Sequence, residues 1–290
     1  MLFFTICHIN QLPEAHALGD SIKSFHADAE FYIGLVDKKD RIPGNFKVKY
    51  PVIDLSEIKI DYIEEMAKQY TQSELLANCK PFFAKYFLQK SAKLVYFDCT
   101  TFLYNKVDFI AAHLNNYTII VVPQLLHAGV HPDEKQTLNT GIFHSGFLAL
   151  RQSEESARFL DWWGNNTAKK GYINLCKGLN ADQLWLEHVP NLYDKVLIEK
   201  HEGLNIGRWN LPERIIDKTH NTVNGQTLVS VNFKGMKYWA DYKKKVQQYS
   251  ITQTTALYGL HDPKNKKFGK IFARNIRKIN SFIDKLVDLI

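Results

Sequence analysis

Apolar residues along the chain follow two different periods. Short, predominantly apolar runs occur at Leu2–Cys7, 94–97 and 118–123, the middle one without any polar residue. Such runs have the character of strands covered on both faces. Between them the apolar positions move to helical spacing, as at Ala15, Leu18, Ile22 and Phe25 within 12–26. Further strands are predicted over 30–36, 50–53, 141–150, Val196–Ile198 and 227–233, and further helices over 60–70, 73–90, 107–115, 153–165 and 181–193. Ser73 is placed to cap the 73–90 helix, and Pro81 inside it either kinks it or opens a new one. Pro190 breaks the last helix, residues 127–140 read as a polar loop, and 203–214 as irregular chain. Strands alternating with helices predict the α/β class, with a doubly wound, mostly parallel central sheet flanked by helices.

The run Leu94-Val-Tyr-Phe97 is the most strand-like of all, and it delivers Asp98 to the carboxyl edge of the sheet. Ligands of open α/β sheets bind at that edge. On the strand alone, an acid that caps the following turn is the simpler reading. The first strand-to-helix turn, Cys7-His-Ile-Asn-Gln-Leu-Pro13, contains neither GxGxxG nor GxxxxGK[ST]. Dinucleotide oxidoreductases and P-loop NTPases bring backbone amides against phosphate with those motifs, so both classes are excluded. A glycine-rich nucleotidyltransferase loop is also missing.

Composition changes the picture in four ways. The 290 residues, 45% of them hydrophobic, suffice for one large core or a core with a small appendage. No apolar run of about eighteen residues occurs, and the first residues read as a strand, not as a leader peptide. Cys7, Cys79, Cys99 and Cys176 are scattered without a CxxC pair, which predicts reduced thiols in a cytoplasmic protein. Finally, the net charge of +7 is concentrated at the end: residues 261–290 hold eight Lys and Arg against three Asp. A nearly neutral body with a basic tail points to an anionic surface as partner of the tail alone.

Segments 2–36, 70–83, 95–101, 141–150, 181–190 and 202–214, taken in order, resemble bacterial GT-A-fold glycosyltransferases, the nucleotide-diphospho-sugar transferase superfamily, and among them the family-8 galactosyltransferases and glycogenin. The most specific pieces are Phe159-Leu-Asp-Trp-Trp163, Ala181-Asp-Gln-Leu-Trp185 and Gly203-Leu-Asn-Ile-Gly-Arg-Trp-Asn-Leu211. The resemblance implies a GT-A domain over 1–236 and a helical extension over 237–290. It implies transfer of a sugar from a nucleoside diphosphate donor, a UDP-sugar foremost, to a glycan or lipid-linked acceptor, with retention at the anomeric carbon. A non-catalytic nucleotide-sugar or glycan-binding protein on the same scaffold is the alternative.

The same resemblance assigns residues. Asp182 and Gln183 become catalytic, the acid holding donor hydroxyls and the amide lying near the anomeric carbon. Thr5, Cys7, Lys80, Asp98, Thr100, His144, Lys234 and Lys237 become donor-binding, and Asn205, Trp209 and Asn210 acceptor-binding. In the family an Asp-x-Asp strand end and a later His hold Mn2+ or Mg2+ against the diphosphate. Here those positions read Asp98-Cys99-Thr100 and Asn232. Three readings stay open: a divalent cation on Asp98 and Asn232 with water and diphosphate completing its shell, replacement of the cation by Lys80, Lys234 and Lys237, or loss of catalysis.

The tail carries its own signal. Between Phe268 and Ile290 ten apolar residues fall within an arc of about 160° at helical spacing, opposite Lys266, Lys267, Lys270, Arg274, Arg277 and Lys278. That pattern predicts a C-terminal amphipathic helix lying in a membrane surface, which would place the protein on the inner face of the cell membrane; a helix packed on the body or on a second subunit is the other reading. A greasy face beside the basic one argues against nucleic acid as partner.

Overall fold

The computed structural model describes residues 1–129 and 134–254. The amphipathic helix expected over 264–290 lies outside the described residues. The main strands are β1 (Leu2–Cys7), β2 (Glu30–Leu35), β3 (Val52–Asp54), β4 (Lys93–Phe97), β5 (Thr101–Leu103), β6 (Ile119–Val121), β7 (Phe147–Arg151), β8 (Val196–Ile198) and β9 (Ser230–Asn232). The helices are α1 (Leu12–Phe25), α2 (Ile63–Gln69), α3 (Gln72–Asn78), α4 (Lys80–Leu88), α5 (Asp108–His113), α6 (Glu134–Thr140), α7 (Glu154–Lys170) and α8 (Ala240–Gln247).

Seven strands form one sheet in the order β8-β6-β7-β4-β1-β2-β3. Only β7 runs antiparallel to its neighbours, so the sheet is mixed but mostly parallel, as the alternating pattern predicts. Both faces are covered. Leu2, Phe4 and Ile6 of β1 pack toward α4 and α7, against Phe83, Phe87, Phe159 and Trp163. Phe3 and Cys7 point the other way, toward Leu12, Leu18 and Ile22 of α1. Each fully buried aromatic or aliphatic side chain contributes about 1.5–3 kcal/mol, so burial on two faces explains why apolar residues dominate these strands, Thr5 being the one polar residue of β1.

Several local expectations shift. The predicted 73–90 helix is two helices: Thr71, not Ser73, caps α3 through a capping box with Glu74, and Pro81 sits in the first turn of α4, where its missing N–H costs nothing. Pro190 likewise opens a short helix, Val189–Leu192, instead of ending one. Part of the expected 127–140 loop is helical, namely α6. The strand expected from 141 starts only at Phe147, because 141–146 leaves the sheet and turns along its edge.

Beyond β9 the chain stays attached to the body. The ring of Tyr242 on α8 stacks on Phe233 with centroids 4.3 Å apart, and Tyr249 donates a hydrogen bond to Asp20 on α1 at 2.9 Å. Among the described residues no helix is long and apolar enough to cross a membrane.

Candidate active site

A cavity of about 460 Å³ opens at the carboxyl edge of β1 and β4. Asp98, Thr100, Lys80, His144, Asp182, Gln183 and Lys234 all line it. Seven residues that lie up to 154 positions apart in sequence are therefore brought to one place.

Asp98 follows directly on β4, and its N–H donates to the Gly146 carbonyl at 2.9 Å. Its two oxygens have different partners. Oδ1 accepts from the Tyr96 hydroxyl at 2.7 Å, and Oδ2 from the Asn232 amide at 3.1 Å. Burial pushes the Asp98 carboxyl up, but Lys80, Lys234, His144 and the Tyr96 hydroxyl together outweigh it and hold the group well below the usual carboxylate range. Asn232 arrives through a short antiparallel ladder: it pairs with Thr101, and the Phe233 N–H donates to the Thr100 carbonyl at 2.9 Å. The Thr100 hydroxyl then donates to Asn232 Oδ1 at 2.8 Å, and the Lys234 N–H donates to the same oxygen at 3.0 Å.

Asp182 also faces the cavity. Its side chain pairs with Lys80 Nζ at 2.6 Å, both groups being buried. Lys80 also donates to the carbonyl and the hydroxyl of Ser145, at 2.7 and 3.1 Å. An ammonium has three hydrogens, and all three are committed. Trp163 of α7 fixes the backbone here by donating from its indole to the Asp182 carbonyl at 2.9 Å. The preceding Ala181 adopts φ +46°. Left-handed backbone costs a residue with a Cβ roughly 1–2 kcal/mol, and this strain turns Asp182 toward the cavity. Gln183 is held at both ends of its amide: Oε1 accepts from the Ser145 N–H at 3.2 Å and Nε2 donates to the Thr140 carbonyl at 2.7 Å.

His144 forms the wall between the two acids. Its Nδ1 receives N–H groups of Gly146 at 3.1 Å and of Asn205 at 3.2 Å, so that nitrogen is the acceptor and the proton sits on Nε2. Burial lowers its pKa to about 3 despite the nearby Asp98. The Trp209 ring stacks on the imidazole with centroids 3.5 Å apart. A Cβ at Gly146 would lie 2.4 Å from His144 Cε1 and 2.7 Å from Asp98 Oδ2, so only glycine lets the three groups meet.

The structure does not bring every expected residue to the cavity. Thr5 and Cys7 share one face of β1 and are fully buried toward α1. Strand alternation puts Ile6 and His8 on the cavity instead. Lys237 is exposed and outside the lining. Asn205 and Asn210 are buried behind His144: Asn210 Oδ1 accepts from the Gly207 N–H at 2.9 Å, and Asn205 supports the imidazole. With Trp209 they reach the cavity only through His144. Tyr96, Ser145, His8 and Gln11 were not singled out by the sequence. Tyr96 reads there as one more core aromatic, and only its hydroxyl distinguishes it.

Among the described residues no three His, Cys, Asp or Glu side chains are grouped as metal ligands. Asn232 turns its N–H toward Asp98 and uses its oxygen to accept two hydrogen bonds. The expected ligand set of Asp98 and Asn232 therefore does not fit a divalent cation, which requires oxygen lone pairs directed at one point.

No family profile matches the sequence. The chain is similar to the uncharacterized protein YfnF of Bacillus subtilis strain 168, at 22% identity over 279 residues, covering 90% of this chain and 89% of YfnF. Among solved structures it is similar to galactosyltransferase LgtC in complex with donor and acceptor sugar analogs, with a TM-score of 0.52 at 10% identity over 87% of this chain and 98% of LgtC. An active-site mutant of LgtC superposes with the same TM-score and coverage. The chain has the GT-A fold. At this identity the likeness concerns the fold, and the GT-A sheet edge is where the two acids, the amide and the lysines meet in this chain.

Proposed function

We propose that this protein is a glycosyltransferase that moves a sugar from a nucleoside diphosphate donor, a UDP-sugar foremost, to a glycan or lipid-linked acceptor. The observation that carries the reading is the convergence of Asp98, Asp182, Gln183, His144 and Lys234 on one cavity at the ligand-binding edge of a GT-A sheet. The cavity divides by chemistry. At one end Lys234 offers an ammonium for phosphate oxygens, which gain charge as the sugar departs. At the other, Asp182 offers carboxylate lone pairs to sugar hydroxyls, and Gln183 presents an amide held rigidly from both sides. Attack by the acceptor on the face the diphosphate leaves, with retention, is carried over from the family resemblance, and it asks no side chain, Gln183 included, to act as a nucleophile. The departing phosphate takes the acceptor proton.

Purified protein incubated with UDP-, GDP-, dTDP- and ADP-sugars should release nucleotide from one of them, faster with a glycan or polyprenyl-phosphate acceptor. Binding of a sugar nucleotide with no release across the whole panel would favour the non-catalytic reading. For the tail we propose in-plane attachment to an anionic membrane at the inner face of the cell. Sedimentation of the full chain with phosphatidylglycerol vesicles should exceed that with phosphatidylcholine vesicles, and Arg274→Glu with Arg277→Glu should remove the difference.

A further inference from the structure

The phosphate end of the cavity combines a closed hydrogen-bond network with one uncommitted cation. Asn232 cannot be turned round to offer its oxygen to a metal at Asp98. The backbone N–H of Lys234 lies 3.0 Å from Oδ1, and a reversed amide would set N–H against N–H. The amide therefore faces Asp98 as a donor, at 3.1 Å, where a ligand oxygen would be needed. The Tyr96 hydroxyl donates to the other Asp98 oxygen. Thr100, at the place of a second carboxylate, directs its proton to Asn232. A cation approaching Asp98 meets hydrogens on both of its neighbours.

Of the lysines, Lys80 has no hydrogen left, being bound to Asp182 and twice to Ser145. Lys234 differs. Its side chain is exposed and lines the cavity, and among the described residues its Nζ has no hydrogen-bond or ion-pair partner. The two acids, Asp98 and Asp182, raise its pKa and keep it charged, and an ammonium with three free donors suits phosphate oxygens.

We propose that this chain binds the diphosphate of its donor without a divalent cation, the Lys234 ammonium taking the cation's place. The proposal rests on the nucleotide-sugar reading given above. No covalent step changes: the sugar–phosphate bond breaks with both electrons going to the phosphate oxygen, and Lys234 hydrogen-bonds the charge that forms.

The test is equilibrium binding of UDP, GDP, dTDP and ADP to the full-length protein, stripped with EDTA and then measured with EDTA or with added Mn2+ or Mg2+. One nucleotide should bind in EDTA within about threefold of its affinity with metal. Lys234→Gln should weaken that binding by about tenfold or more, and Lys234→Arg should retain most of it. Unchanged melting of both variants separates this loss from unfolding, since the side chain is exposed. Binding that requires Mn2+ or Mg2+, or that is indifferent to Lys234→Gln, overturns the proposal and leaves the glycosyltransferase reading intact. If none of the nucleotides binds, with or without metal, the donor reading itself fails, and the proposal falls with it.

Discussion

Asp98 and Asp182 are the same residue type in the lining of one cavity, yet they are held in different ways. Asp182 is locked to a buried lysine whose hydrogens are all committed, on a strained backbone pinned by Trp163. Asp98 is held by two neutral donors, Tyr96 and Asn232, while the cation beside it stays free. The difference separates a rigid end from an adaptable one. Sugar hydroxyls need fixed partners, because stereochemistry depends on fractions of an ångström. A diphosphate that departs with growing charge is served by a side chain able to follow it.

The largest effect should come from breaking the rigid end. Lys80→Met leaves a buried carboxylate without its partner, and loss of about 3–5 kcal/mol in urea denaturation is expected. Adding Asp182→Asn to Lys80→Met should recover part of that loss. If the two single costs simply add, the pair is not coupled and the contrast with Asp98 collapses.

Between the two ends, Gly146→Ala should cost about 1–3 kcal/mol through overpacking, since the new methyl would strike His144 and Asp98 together. Thermal melting measures the cost. Donor binding should fall with it, because both acids take their position from this wall.

Acid should act next. The His144 pKa is about 3 in the fold against an ordinary 6.5, so the unfolded chain binds more protons between those values. Its contribution to stability is full above about pH 6.5 and is lost as the pH falls toward 3, with a limiting slope of about 1.4 kcal/mol per pH unit. His16, lowered to about 4 by burial, adds a parallel loss, and Asp98, also depressed, adds its own below the ordinary carboxylate range. Denaturation at pH 7, 6 and 5 should show falling stability, and His144→Gln should make the decline shallower by one proton's worth.

The smallest effect belongs to a residue off the cavity. Thr5 is fully buried, and its hydroxyl has no hydrogen-bond partner among the described residues. Thr5→Val keeps the shape and removes the orphan group, so stability should change by no more than about 0.5 kcal/mol or rise, with nucleotide binding unaffected. A marked loss of binding would place the donor deeper than the cavity described.

Much of the frame was legible in the sequence. The unbroken run 94–97 has the pattern of a strand buried on both faces, and that reading put Asp98 at the ligand edge. The acid–amide pair Asp182-Gln183 was legible through the family resemblance. The β1 error has a simple origin: a strand apolar on both faces carries no alternation, so nothing in Leu2–Cys7 says which parity meets the cavity. For 73–90 the sequence left two outcomes at Pro81, a kink or a new helix, and the fold takes the second, with α3 ending at Asn78 and Pro81 in the first turn of α4.

Local pattern thus determined most of the strands, the α/β class and the place of Asp98 at the sheet edge, because periodicity and burial act over a few residues; Asp182 came only with the family resemblance. Tertiary structure decided what surrounds each acid. The Lys80–Asp182 pair spans 102 residues and the Asn232–Asp98 hydrogen bond 134. Contacts of that separation are fixed by how the sheet and its side ladder close, and whether an acid meets a lysine or an amide emerges only then.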